Sequence, residues 1–152
     1  MSSDPWGRDA LVQQVRESFE FLESRLIQPV LLDEDPFRTV VAYVLDPLTI
    51  ELELDWRDLI VTLLLCRTVD RGRPPGYYFH EGRPMRVHLA LALDGGNQDD
   101  RSIAARLRKA VGKSGPEAME NQVREFSAAI RSIVERLPEF RDCLFPEERD
   151  DR

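Results

Sequence analysis

The chain has 152 residues, 42% of them hydrophobic and 32% charged, with a formal net charge of −7. That length fits one domain able to bury roughly 68–70% of its unfolded surface, and the composition is that of an ordinary globular protein. The negative balance argues against general affinity for double-stranded nucleic acid, which needs clustered Lys and Arg, and permits a basic partner.

The opening residues, MSSDPWGRDA, have no basic stretch leading into an apolar one, so no secretory signal is expected. No apolar run approaches the ~18–20 residues that span a bilayer. A cytoplasmic protein without a membrane partner is the expectation. In a reducing compartment Cys66 and Cys143 are expected to be free and buried. Lys109 and Lys113 are the only lysines against nineteen arginines, a usage expected of a GC-rich bacterial genome.

A first helix is expected over residues 9–28, where Leu11, Val12, Val15, Phe19, Leu22 and Leu26 form an apolar stripe and Pro29 stops the pattern. Asp33-Glu34-Asp35-Pro36 then reads as a polar connection into a strand.

From Phe37 to Arg67 the pattern is that of three strands. Val40 to Leu45 is apolar throughout, counting Tyr43, and Leu59 to Cys66 is apolar except at Thr62. Both suit strands shielded on two faces, and their β-branched content favours strand over helix. Between them Ile50, Leu52, Leu54 and Trp56 alternate with Glu51, Glu53 and Asp55, which predicts one buried face and one wet face. Asp46-Pro47 and Trp56-Arg57-Asp58 supply the turns.

Thr68 to Pro84 holds three glycines and three prolines with no periodicity. It exceeds the ~12–15 residues at which irregular loops become uncommon and are often functional. A short hairpin turning at Glu81-Gly82 fits its middle. Met85 to Leu93 is ambiguous, alternating like a fourth strand yet able to form a short helix ended by Gly95-Gly96, with strand slightly favoured.

The last third is helical. Asp99 or Asp100 is placed to cap a helix carrying Ile103, Leu107, Ala110 and Val111, ended by Gly112. Ser114-Gly115-Pro116-Glu117 reads as a capping box for a second helix. Its stripe, Met119, Val123, Phe126, Ile130, Ile133 and Leu137, is too short for a coiled coil and suits packing on the sheet or on the first helix. Pro138 is expected to end that helix, and Phe140, Leu144 and Phe145 to dock the tail.

The fold expected is a single α+β domain over residues 1–152, with 1–8 and 147–152 frayed. It has an N-terminal helix, an antiparallel three- or four-stranded meander, and C-terminal helices packed on the sheet.

For chemistry the residues offer little. Glu51, Glu53 and Asp55 lie roughly 6.6–6.8 Å apart along one strand face, a row that diverges and is expected to be solvated or to meet a partner. His80, His88, Cys66 and Cys143 lack the close pairs of structural zinc sites. Cys66 lies in an apolar strand, where a thiol is inert. No phosphate loop, dinucleotide fingerprint or nucleophile elbow occurs, and no metal or cofactor is expected.

The sharpest candidate is the long loop. Tyr77, Tyr78, Phe79 and His80 stand in line, flanked by Arg71, Arg73 and Arg83, and from Arg67 to Arg86 the local charge is +3. Tyr and Arg dominate binding hot spots, and aromatic-basic surfaces also suit single-stranded nucleic acid. The competing expectation is that the aromatics cover a sheet edge while the arginines pair with the carboxylate row.

The order helix, three-stranded meander with Asp55-Trp56-Arg57-Asp58 at its turn, then helices, resembles small uncharacterised bacterial α+β proteins that include immunity proteins of polymorphic toxin systems. The resemblance implies a binding role without chemistry, set against a basic toxin surface, and carries over no functional residue. Three functions follow as expectations. The first is a non-enzymatic protein-binding module using the 71–83 loop, the Glu51/Glu53/Asp55 face, or both. The second is a small-ligand protein or enzyme with a pocket under the 68–84 loop and His80 or His88 as acid–base group. The third is a homodimer or other homo-oligomer built through a sheet edge or the Met119–Leu137 stripe.

Overall fold

The computed structural model describes residues 7–146. The expected fraying at both ends falls mostly outside these residues, and Arg8 is already the first residue of a helix.

That helix, α1 (Arg8–Ser18), is shorter than the apolar stripe suggests. At Phe19 the backbone leaves α geometry (φ −107°, ψ 14°), and a 3₁₀ turn over Glu20–Arg25 follows. The tighter winding still delivers Phe19 and Leu22 to the core at zero exposure. The Ser18 carbonyl freed by the break accepts a bond from the Ser127 hydroxyl at 2.7 Å.

The sheet has β1 (Leu31–Glu34), β2 (Arg38–Val44), β3 (Leu48–Asp55), β4 (Ile60–Arg67) and, after the two-residue strands β5 (Phe79–His80) and β6 (Arg83–Pro84), β7 (Arg86–His88). The five-stranded sheet is antiparallel in the order β1-β2-β3-β4-β7, and β5 and β6 form a separate hairpin. The three central strands fall where the alternation and apolar runs place them. Residues 33–34, expected in a connection, belong instead to edge strand β1, which faces solvent and so lacks an apolar period. Asp35 makes the turn, its carboxylate accepting from the amides of Phe37 and Arg38, both at 2.8 Å.

The ambiguous stretch is both things in succession. Arg86–His88 pairs with β4, and Leu89–Asp94 is helix α2. Next comes α3 (Gln98–Val111), capped by Asn97 in a capping box with Asp100, so Asp100 answers the cap and does not provide it. Helix α4 (Pro116–Ile133) starts at Gly115 (φ 112°) with no side-chain cap. The expected Ser114 box is absent because Gly115 turns back to bond the Leu59 carbonyl at 2.9 Å. A 3₁₀ turn, Val134–Arg136, separates α4 from α5 (Leu137–Leu144). Pro138 therefore lies in the first turn of α5, where its missing N–H costs nothing, and does not terminate α4.

Helices cover one sheet face. Leu48, Ile50, Leu52, Leu54 and Trp56 of the β3 side join Val15, Phe19, Val123, Phe126 and Ile130 in one core. The Met119–Leu137 stripe is buried within the chain throughout, which removes it as a dimer seam. Phe140 and Phe145 dock the tail as expected, and Leu144 packs against the core half-buried.

At the β4 margin Gln122 of α4 closes the sheet. Its carboxamide oxygen accepts from Val61 N–H at 2.8 Å, and its nitrogen donates to the Ala110 and Lys113 carbonyls at 3.1 and 2.9 Å.

Candidate functional site: a loop pinned over the second sheet face

The strand register assembles the opposite face. Glu51 lies across from Ala42 on one side and Leu64 on the other, and the same row continues to Leu31 and His88. Arg86 lies across from Cys66 in the adjoining row. This face was expected to be wet, and at Glu51 it is not. Glu51 has no exposed surface, because residues 68–85 return over it.

A carboxylate so buried needs compensation, and two guanidinium groups provide it. Arg86 donates from Nε to Oε1 at 2.8 Å and from Nη2 to Oε2 at 3.3 Å, and Arg73 donates from Nε to Oε2 at 2.6 Å. Burial pushes the Glu51 carboxyl up, but the hydrogen bonds from Arg86 and Arg73 outweigh it and hold the group below its ordinary value.

Arg86 spends its remaining donors on the loop. Nη1 bonds the carbonyls of Gly76 and Tyr77 at 2.9 and 3.1 Å, and Nη2 bonds that of Pro74 at 3.1 Å. Five donors thus meet one carboxylate and three backbone oxygens, a fit that only the planar guanidinium fork offers. Gly76 is required at this contact. Its φ is 68°, and a Cβ there would lie 2.7 Å from the Phe79 carbonyl.

Further bonds tie the loop down at its margins. Arg73 reaches Asp33 of β1 at 3.4 Å, and Gln28 donates to the Arg71 carbonyl at 3.0 Å. The Tyr77 hydroxyl donates to both Glu53 oxygens at 2.8 and 2.9 Å, and burial together with that bond raises its pKa. Tyr78 stacks edge-on against Tyr77, with centroids 4.5 Å apart, and its hydroxyl meets His88 Nε2 at 2.6 Å. The hairpin turns at Glu81-Gly82, both at positive φ, as expected.

The ten candidate residues therefore divide. Glu51, Glu53, Arg73 and Tyr77 form one internal network with Arg86. Asp55 accepts from the amides of Arg57 and Asp58, both at 2.9 Å, and shapes the β3–β4 turn. Arg71 stands exposed in a tight turn at φ 62°, next to Asp70 at 51°. Tyr78, Phe79, His80 and Arg83 occupy the upper surface, where Phe79 is 68% exposed. The loop covers a face of the sheet, where edge cover was the expectation.

Beneath the loop, the space around Glu51 is filled by the two guanidinium groups. His80 lies 3.7 Å from Glu81 and His88 is engaged by Tyr78, so the two histidines serve different contacts. Among the described residues no three His, Cys, Asp or Glu side chains converge to hold a metal ion. Cys66 is fully buried, its thiol pushed far up by burial and by nearby Glu51. Cys143, expected to be buried, is exposed on α5 because the Phe140 and Phe145 side of that helix takes the core contacts.

Arg86 was missed as a site residue, counted only in the local charge. The signal that could have found it is its place in the alternation of Met85 to Leu93. There it shares a strand face with His88 opposite the apolar Val87, in a sheet whose central strand carries glutamates on one face. No family model, curated protein or solved structure matches this chain. Among the described residues no helix is long and apolar enough to cross a membrane.

Proposed function

We propose that this chain is a non-enzymatic protein-binding module that presents Tyr78 and Phe79, with the edge of Tyr77, to a protein partner. One observation carries the reading. An exposed aromatic group sits on a loop whose backbone is fixed from below by a buried, fully bonded Arg86–Glu51 pair. Fixing the aromatic side chains before binding removes much of the ordering cost that association otherwise carries. Arg83 and His80 on the same hairpin add donors of the kind found in hot spots. The filled space around Glu51 speaks against a catalytic pocket there.

The Glu51/Glu53/Asp55 face has no place in this reading, since it is consumed inside the molecule. An immunity-like role in the cytoplasm is the most specific form of the proposal, and two free thiols are compatible with a reducing compartment. Capture from lysate of the source organism, with Tyr78→Ala/Phe79→Ala beside wild type, tests it. A partner held by the wild type and released by the double variant, at equal thermal stability, supports the reading. Equal recovery of every captured protein by the two chains contradicts it.

A further inference from the structure

We infer that the outer edge of β1 is a second, separate docking site, which takes an extended basic segment of a partner protein by strand addition. Residues Tyr77 to Phe79 are not needed for it.

The backbone sets the geometry. Asp35 and Arg38 exchange backbone hydrogen bonds, Asp35 N to Arg38 O at 2.9 Å and the reverse at 3.4 Å. In an antiparallel ladder such pairs alternate with unbonded ones. Asp33 and Leu31 are therefore turned to β2, while the N–H and C=O of Leu32 and Glu34 point away from the sheet. β1 is the last strand on this side of the sheet, and among the described residues no hydrogen bond from another element reaches these groups. The β4 margin is the contrast, since there the outward N–H of Val61 is closed by buried Gln122.

Side chains at the β1 edge suit a visitor. Leu32 is 48% exposed. Just before it in the chain, an open cleft of about 500 Å³ runs between Arg16 and Glu23 on one wall and Leu26 to Val30 on the other. The Tyr43 hydroxyl, buried and without a hydrogen-bond partner, is within electrostatic reach of both charged residues. An added strand would lay its alternate side chains along Leu32 and into this cleft.

Charge chooses the visitor. Asp33, Glu34 and Asp35 stand exposed in succession along the edge and Glu23 in the cleft. Within the chain Asp33 meets Arg73 at 3.4 Å, Glu23 meets Arg16 at 3.7 Å and Asp35 accepts two turn amides, which leaves Glu34 and the outer oxygens of the others to a visitor. A second copy of this chain would bring the same carboxylates against them, and like charges directly opposite are destabilising. Arginine or lysine at alternate positions of an incoming strand would complement them, while main-chain hydrogen bonds supply the affinity that strand addition uses.

The test is titration of the full chain with a short peptide alternating arginine and valine, beside its glutamate–valine counterpart, followed by amide hydrogen exchange. The expected result is one-to-one binding of the arginine peptide alone, with slowed exchange at Leu32 and Glu34. Leu32→Pro removes an outward N–H without breaking a bond inside the sheet, and should weaken binding at least tenfold. Glu34→Lys, which leaves the backbone intact, should do the same if the proline variant does not fold. Phe79→Ala should bind normally, which separates this site from the aromatic platform. Absence of binding, equal binding of the glutamate peptide, or binding without protection at Leu32 and Glu34 overturns the inference.

Discussion

Arg86 Nε lies 2.8 Å from Glu51 Oε1, at a point in the molecule where Glu51 has no exposed surface at all. The pair joins β7 to β3 across 35 residues of sequence and fixes the intervening loop through the carbonyls it also binds.

Removing Arg86 leaves Glu51 with Arg73 as its one guanidinium partner and takes the donor from three loop carbonyls, and breaking a buried pair of this kind typically costs about 3–5 kcal/mol. Arg86→Ala should therefore destabilise the protein by about that much in urea unfolding. Glu51→Leu combined with Arg86→Met should cost less than the two single changes added together, because the double variant leaves neither member buried against a missing partner, while Arg73 keeps Asp33. A double variant as unstable as the sum of its single changes would contradict the pairing.

Acid should loosen the same site. The Glu51 carboxyl titrates below its ordinary value in the folded chain, as does Asp100, held down by its bidentate bond from Arg136. An unfolded glutamate titrates near ~4.3. The stabilisation from Glu51 is thus complete above about pH 4.3 and is lost as pH falls through the folded value. Glu51→Gln should flatten the slope of unfolding free energy between about pH 5 and pH 2. An unchanged slope would mean that the carboxylate is not held as described.

The two thiols should behave oppositely. Cys143 is exposed and Cys66 is buried, with its thiol pushed far up. A disulfide reagent at neutral pH should modify one thiol of the native protein promptly and the second only with unfolding. Rapid modification of both would contradict the packing at β4.

Gln122 makes three hydrogen bonds from a fully buried position. Gln122→Met keeps the volume and leaves Val61 N–H and the Lys113 carbonyl without this partner, while Ala110 keeps its backbone donor, at about 1–3 kcal/mol for such a loss. Chemical denaturation measures it, and a neutral outcome would show that water replaces the amide.

Much of the fold was legible because local pattern decided it. Ile50, Leu52 and Leu54 alternate with acids and lie on the helix-covered face as that period requires. The site was legible only in part. The period separates Glu51 from Leu52 but is silent on what returns over Glu51 from residues 73 and 86. An acidic edge strand such as β1 has no apolar face to advertise, so it resembled a linker. Helix ends were set by tertiary demands. Gly115 bonds Leu59 and displaces the cap that Ser114 offered.

The central claim is that the Arg86–Glu51 pair holds the aromatic platform rigid before any partner arrives. Backbone order parameters for residues 76–79 in Arg86→Lys and wild type test it most directly, since lysine keeps the charge and loses the fork. The account predicts values near the ~0.85 of rigid backbone in the wild type and a fall below about 0.6 in the variant. A wild-type loop already that mobile, or a variant as rigid as wild type, would contradict it.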